Sequence, residues 1–380
     1  MKSKLLLLIL ISSLSSTAQV IIQSHVKMPL DSLEKGLFHN SLNEFLFAAD
    51  KGDKENKTIL KDEKLATLLL LDEIKGITDA NTFKPYLLSM LELDSQSYLI
   101  QLVYSQIRND ESYQKAQLTL IAHKEADSFK FSTPLRRNTT YWKSKIMQNT
   151  TFYYLGNLNL ENVTSFVEKT TEIDTKLKLP EKSTSIYLTE NLSDVFNLIG
   201  INYLAPYNGR RFASTMASLN NSAIAIHGNG NPGFETFDTH DLWHERLGLA
   251  VNRRKTNRPV DEGCAYLYGG SWGYTWEEIL TKFITTYADR KDIDWKYYKE
   301  HQENFGENQE KHLMVDYVAN ALIIEKLEKE IGFSAVLEFL NSGPYEKGNA
   351  NYYKTLEKLT GVSEEDYSDM VWDLINSSKE

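Results

Sequence analysis

The stretch Phe237-Asp-Thr-His-Asp-Leu-Trp-His-Glu-Arg-Leu247 constrains this chain more than any other. Phe237, Leu242, Trp243 and Leu247, continued by Val251, recur at helical spacing, so the segment reads as a buried helix with polar residues wedged into it. His240 and His244 lie four apart and project from one face a turn apart, an arrangement that lets two imidazoles share one Zn²⁺. Zinc takes at least one more protein ligand. Val260-Asp-Glu-Gly-Cys-Ala265 offers Glu262 at what reads as the start of the next helix, and residues 252–259 form a loop that lets that helix return alongside the first. A metal-free alternative stays open, in which both histidines are hydrogen-bonded core residues.

The rest of the chain reads as α+β. From Leu30 to about Leu93 the pattern is helical. Strands are expected at 98–104, 116–122 and 139–142, an antiparallel sheet backed by helices. Further strands are expected at 150–155, 183–189, 212–216 and 222–227, and helices at 160–177 and 193–198. Beyond the turn-rich Gly228-Asn-Gly-Asn-Pro-Gly233 everything is expected to be helical: 235–251, 260–268, 275–288, 311–330, 333–340 and 363–375. That glycine loop lacks the Lys-Ser/Thr ending of a phosphate loop, so nucleotide binding is discarded.

The chain opens Met1-Lys-Ser-Lys4, turns apolar from Leu5 to Ile11 and reaches Ser16-Thr-Ala18, the layout of an export signal cleaved after Ala18. The expected division is a signal at 1–18, an α+β accessory domain at 19–147 and a second domain at 148–380. No stretch has the ~20 apolar residues of a membrane span. Net charge is −10, and −12 without Lys2 and Lys4, which gives no support to a nucleic-acid or anionic-membrane partner. A lone cysteine, Cys264, rules out an internal disulfide framework and reads as a small buried thiol.

At His240-Asp-Leu-Trp-His244 and, seventeen residues on, Asp261-Glu262-Gly263, the chain resembles the gluzincin branch of zinc metallopeptidases. That family carries His-Glu-x-x-His followed by a metal-binding Glu. The resemblance covers about Gln148 to the C-terminus and implies a zincin-like domain with a small mixed sheet, an active-site helix and a C-terminal helical subdomain. It also implies Zn²⁺ on His240, His244 and Glu262, and hydrolysis of a peptide or protein substrate; the export signal places that activity in the periplasm or in the secreted fraction. Asp261 would orient one of the imidazoles from behind. Tyr317 is the candidate for stabilising the oxyanion, with His312, Tyr266 and Tyr268 as competitors. The strand 222–227 resembles the edge strand on which such enzymes lay an extended peptide.

One position departs from the pattern. Asp241 stands where the family has the Glu that carries the proton, and a side chain one methylene shorter draws its carboxylate back by about 1.5 Å. Misplacement of about 1 Å can cost on the order of a hundredfold in rate. The alternative expectation is therefore a zinc-bound pseudopeptidase that binds peptides or a partner protein.

Overall fold

A computed structural model describes residues 19–290, 292–306, 311–344 and 346–378, without the side chain of Arg253. The expected signal at 1–18 lies outside the described residues. The chain is α+β with two mixed sheets. It divides into two compact units, one comprising residues up to Asn159 and Glu181–Glu235, the other Leu160–Pro180 and everything from Thr236.

The first unit begins with β1 (Ile21–Ile22) and helix α1 (Ser32–Lys51). Asp31 and Glu34 close a reciprocal capping box at the start of α1, and Gly52 ends it in the left-handed region that glycine adopts without strain. Phe38, Leu42, Phe45 and Ala49 form its buried stripe. Helix α2 (Lys64–Ile74) follows. Strands β2 (Lys84–Asp94), β3 (Ser97–Arg108) and β4 (Glu111–Lys124) make an antiparallel meander. Asn109 and Asp110, both at positive φ, form the two-residue turn between β3 and β4. β5 (Phe129–Ser132) completes that edge, and a short helix, α3 (Leu135–Asn138), leads to the hairpin β6 (Lys143–Met147) and β7 (Thr150–Tyr154).

This hairpin turns at Gln148, where the sequence suggested the start of a second domain, and both its strands belong to one sheet. After α4 (Leu160–Leu177), which belongs to the second unit, come β8 (Ser183–Thr189), α5 (Leu192–Ile199), β9 (Ile201–Leu204), β10 (Ala213–Leu219) and β11 (Ser222–Gly228). One sheet has the order β1-β2-β3-β4-β5, with β9 also on β4; the other runs β10-β11-β8-β7-β6.

Three expectations are corrected here. Residues 84–94 are a strand, not helix. Residues 139–142 form a turn after α3, because Thr139 and Thr140 return their hydroxyls to the carbonyls of Leu135, Arg136 and Arg137 instead of extending. The strand at 222–227 is not an edge: β11 is paired on both sides, by β10 and β8, so its backbone has no open side for a peptide.

The second unit is helical. α4 is joined by α6 (Thr239–Ala250), α7 (Arg258–Gly269), α8 (Trp276–Tyr287), α9 (Trp295–Glu300), α10 (Val315–Glu330), α11 (Phe333–Leu340), α12 (Ala350–Thr360) and α13 (Tyr367–Ser377). α10 is its centre, buried without interruption from Val315 to Ile324. Two glycines bring the neighbours of α7 close. A methyl group on Gly263 would stand 2.7 Å from Asn320 Cβ on α10, and one on Gly269 would stand 2.5 Å from the Thr239 carbonyl on α6. No described helix is long and apolar enough to cross a membrane.

Candidate metal centre

The site is built on α6 and α7. Asp238 caps α6 by accepting the backbone N–H of His240 at 2.8 Å, and Arg246 ties the helix to α4 through two 2.6 Å bonds with Asp174. Trp243 and Leu247 sink into the core on one side. That burial leaves His240 and His244 side by side, rings 4.8 Å apart and nearly perpendicular.

Each imidazole is oriented from behind. His240 Nδ1 lies 2.9 Å from the Gly270 carbonyl, which can only accept, so Nδ1 carries the proton. His244 Nδ1 lies 2.9 Å from Asp261 Oδ1, which also accepts from Trp243 Nε1 at 3.1 Å. In the neutral rings both Nε2 atoms are therefore bare lone pairs. They face each other at 3.2 Å, and Glu262 Oε2 approaches them at 3.4 and 3.7 Å. Three electron-rich atoms converging on one point repel one another unless a proton or a metal ion lies between them. These three residues form a group that can hold a metal ion.

The dimensions suit a small tetrahedral ion. Bonds of about 2.0–2.1 Å at tetrahedral angles put ligand atoms about 3.3–3.4 Å apart. The donors' own separations of 3.2, 3.4 and 3.7 Å bracket that figure. Among the described residues no other group of three such ligands occurs.

Electrostatics agree with a site organised for positive charge. Burial by itself would lower the pKa of His244, but hydrogen bonding to Asp261 and Glu262 outweighs it and pushes the value up to about 9. Burial would raise the carboxyl of Glu262, but its contacts with His240 and His244 hold it far below the usual range. Burial pushes the Cys264 thiol well up, away from the thiolate that a ligand must supply.

The other expected residues fall as follows. Asp241 is exposed in the first turn of α6. Tyr317, on α10, is 9% exposed and lies close enough to Arg258 for the guanidinium to hold its pKa down somewhat. Burial, then the Glu262 charge, pushes its hydroxyl up to about 12, so it is protonated at neutral pH. Tyr266 is committed elsewhere, accepting from Met314 N at 3.1 Å and donating to the His312 carbonyl at 3.4 Å. Tyr268 donates to Glu328 at 2.7 Å. Trp272 donates to the His312 carbonyl and Trp276 is buried in the core.

Arg258 went unnoticed in the sequence. It sits one helical turn before Glu262, with Nε 3.5 Å from Glu262 Oε1, the oxygen that faces away from the imidazoles. An Arg-x-x-x-Glu spacing was the available signal, but such pairs are common on solvated helix faces.

Because Asp261 fixes the His244 tautomer, Asp261→Asn is expected to weaken metal binding by about 10–100-fold while the fold holds. Competition against a chelator of known affinity measures this. No model of a known protein family and no curated protein sequence matches the chain.

Proposed function

We propose that the second unit is a gluzincin-like zinc site and that the protein is an exported, zinc-dependent peptidase. The observation that carries the reading is the convergence of His240 Nε2, His244 Nε2 and Glu262 Oε2 at 3.2–3.7 Å, with each imidazole proton engaged behind it. The reading includes the zincin-like arrangement of a helix bearing two histidines beside a helix bearing the glutamate. When bound there, zinc supplies Lewis acidity, which polarises a peptide carbonyl and acidifies water.

The remaining roles belong to this chain's side chains. Asp261 and the Gly270 carbonyl hold the two imidazoles in the ligating tautomer. Asp241, one residue beyond His240 and exposed, accepts a proton from the attacking water and returns it to the leaving amine. Tyr317 donates to the carbonyl oxygen as negative charge develops on it. The neighbouring Arg258 guanidinium can only donate, so it does not compete for the Tyr317 O–H.

A second reading rests on the short side chain at 241: zinc is held, and peptides or a protein partner are bound without cleavage. Asp241→Asn separates the two readings. In the peptidase reading this variant keeps a full equivalent of zinc and loses turnover by about a hundredfold or more. Turnover unchanged by the substitution removes Asp241 from the proton-carrying role, and no turnover in the unsubstituted protein leaves the binding reading.

A further inference from the structure

We infer that Arg258 is a carboxylate clamp, so that the substrates are peptides with a free C-terminal carboxylate, from which the last residue is released. The inference rests on the peptidase reading above and names the substrate class of the same site.

Arg258 is the charged residue of this constellation with its head in solvent. Its side chain is 77% exposed, against 14% for Glu262, and the Tyr317 residue is 9% exposed. The head borders the site: Nε lies 3.5 Å from Glu262 Oε1, and the guanidinium is near enough to Tyr317 to act on its hydroxyl. A guanidinium carries five N–H donors in a planar fork, more than these two partners use, and that fork matches a carboxylate's two oxygens.

The 3.5 Å ion pair to Glu262 is long, at the outer limit of a hydrogen bond. An incoming carboxylate can therefore gain short, charge-assisted bonds without breaking a good one.

Reach decides which carboxylate. The two oxygens of Glu262 are about 2.2 Å apart, so Nε lies within about 6 Å of Oε2, the oxygen in the donor triangle. Consecutive residues are spaced ~3.8 Å. A carbonyl held at the donor triangle thus places the carboxylate of the very next residue within hydrogen-bonding reach of Arg258.

The test uses pooled N-blocked tripeptides whose last peptide bond is replaced by a ketomethylene unit, which keeps the carbonyl but cannot be hydrolysed, prepared as free acids and as C-terminal amides. Equilibrium dialysis against zinc-loaded protein, with mass-spectrometric readout, measures binding independently of activity. Free acids are expected to bind at least about tenfold tighter than amides, and Arg258→Gln to erase that preference while zinc content stays at the unsubstituted level. Arg258→Lys, which keeps the charge but loses the fork, should retain only part of it.

Equal binding of acids and amides, or a preference that survives Arg258→Gln, overturns the clamp. The ordinary cleavable peptides, run in parallel, keep the two readings apart. Cleavage of acids and amides alike contradicts the clamp and leaves the peptidase standing; an acid preference without any cleavage supports the clamp and contradicts the peptidase.

Discussion

His244→Ala is expected to cost the protein its stoichiometric zinc. The substitution removes one of the three converging donors and also the 2.9 Å hydrogen bond from that imidazole to Asp261, leaving His240 Nε2 and Glu262 Oε2 as the remaining donors. Two ligands do not make a closed protein site for zinc. Losing a partner of a ligand already costs about 10–100-fold in affinity, and losing the ligand itself costs more. Elemental analysis after dialysis against a weak chelator reads the result, with circular dichroism to establish that the helices remain. A full equivalent of zinc retained by His244→Ala refutes the assignment of the site.

The largest loss of stability is expected from Lys299→Met. Lys299 and Asp316 form an ion pair at 3.1 Å with side chains 0% and 5% exposed. Asn320 Nδ2 donates to the same carboxylate, and Tyr352 donates to Asn320 Oδ1. Burial pushes Lys299 down and Asp316 up, with each partner's charge only partly restoring the other.

Removing the lysine strands a buried carboxylate and should cost about 3–5 kcal/mol. The sign of the pH dependence follows. A carboxyl whose folded pKa is raised contributes stability below its unfolded value and loses that contribution as pH rises through the folded value. The variant's deficit should therefore be smaller near pH 4 than at pH 7. Lys299→Met with Asp316→Leu should recover most of the loss, because Asn320 Nδ2 still has the main-chain carbonyl of residue 316 at 2.7 Å. Denaturant melts of the unsubstituted protein, the single variant and the double variant at both pH values decide this. A deficit independent of pH, or a double variant as unstable as the single, contradicts it.

The group that could hold a metal ion was legible in the sequence because a helix puts residues four apart on one face. Two histidines four apart on an apolar stripe and a carboxylate on the next helix leave few other arrangements. The surroundings were harder to read. Tyr266, Tyr268 and Tyr317 look alike in a sequence, and only their hydroxyl partners separate them. Arg258 signals itself only as a charge one turn from another, a pattern that solvated helices repeat.

The misread strand β2 has a local cause. A register shift between Leu87 and Ser89 breaks the period of two, so the buried residues Leu87 and Met90 fall three apart while Leu88 and Leu91 are exposed. That spacing imitates a helix. The placement of α4 with the C-terminal helices was equally hidden, since its amphipathic pattern records that it buries a face but not against what.

The central claim is that His240, His244 and Glu262 hold catalytic zinc. It is tested most directly by zinc per chain, measured by elemental analysis on the mature protein, together with chelator-sensitive cleavage of a mixed peptide library by the same preparation. One equivalent of zinc, with cleavage lost on chelation and restored by zinc, is the predicted result. Protein that takes up no zinc even on reconstitution contradicts the account at its base.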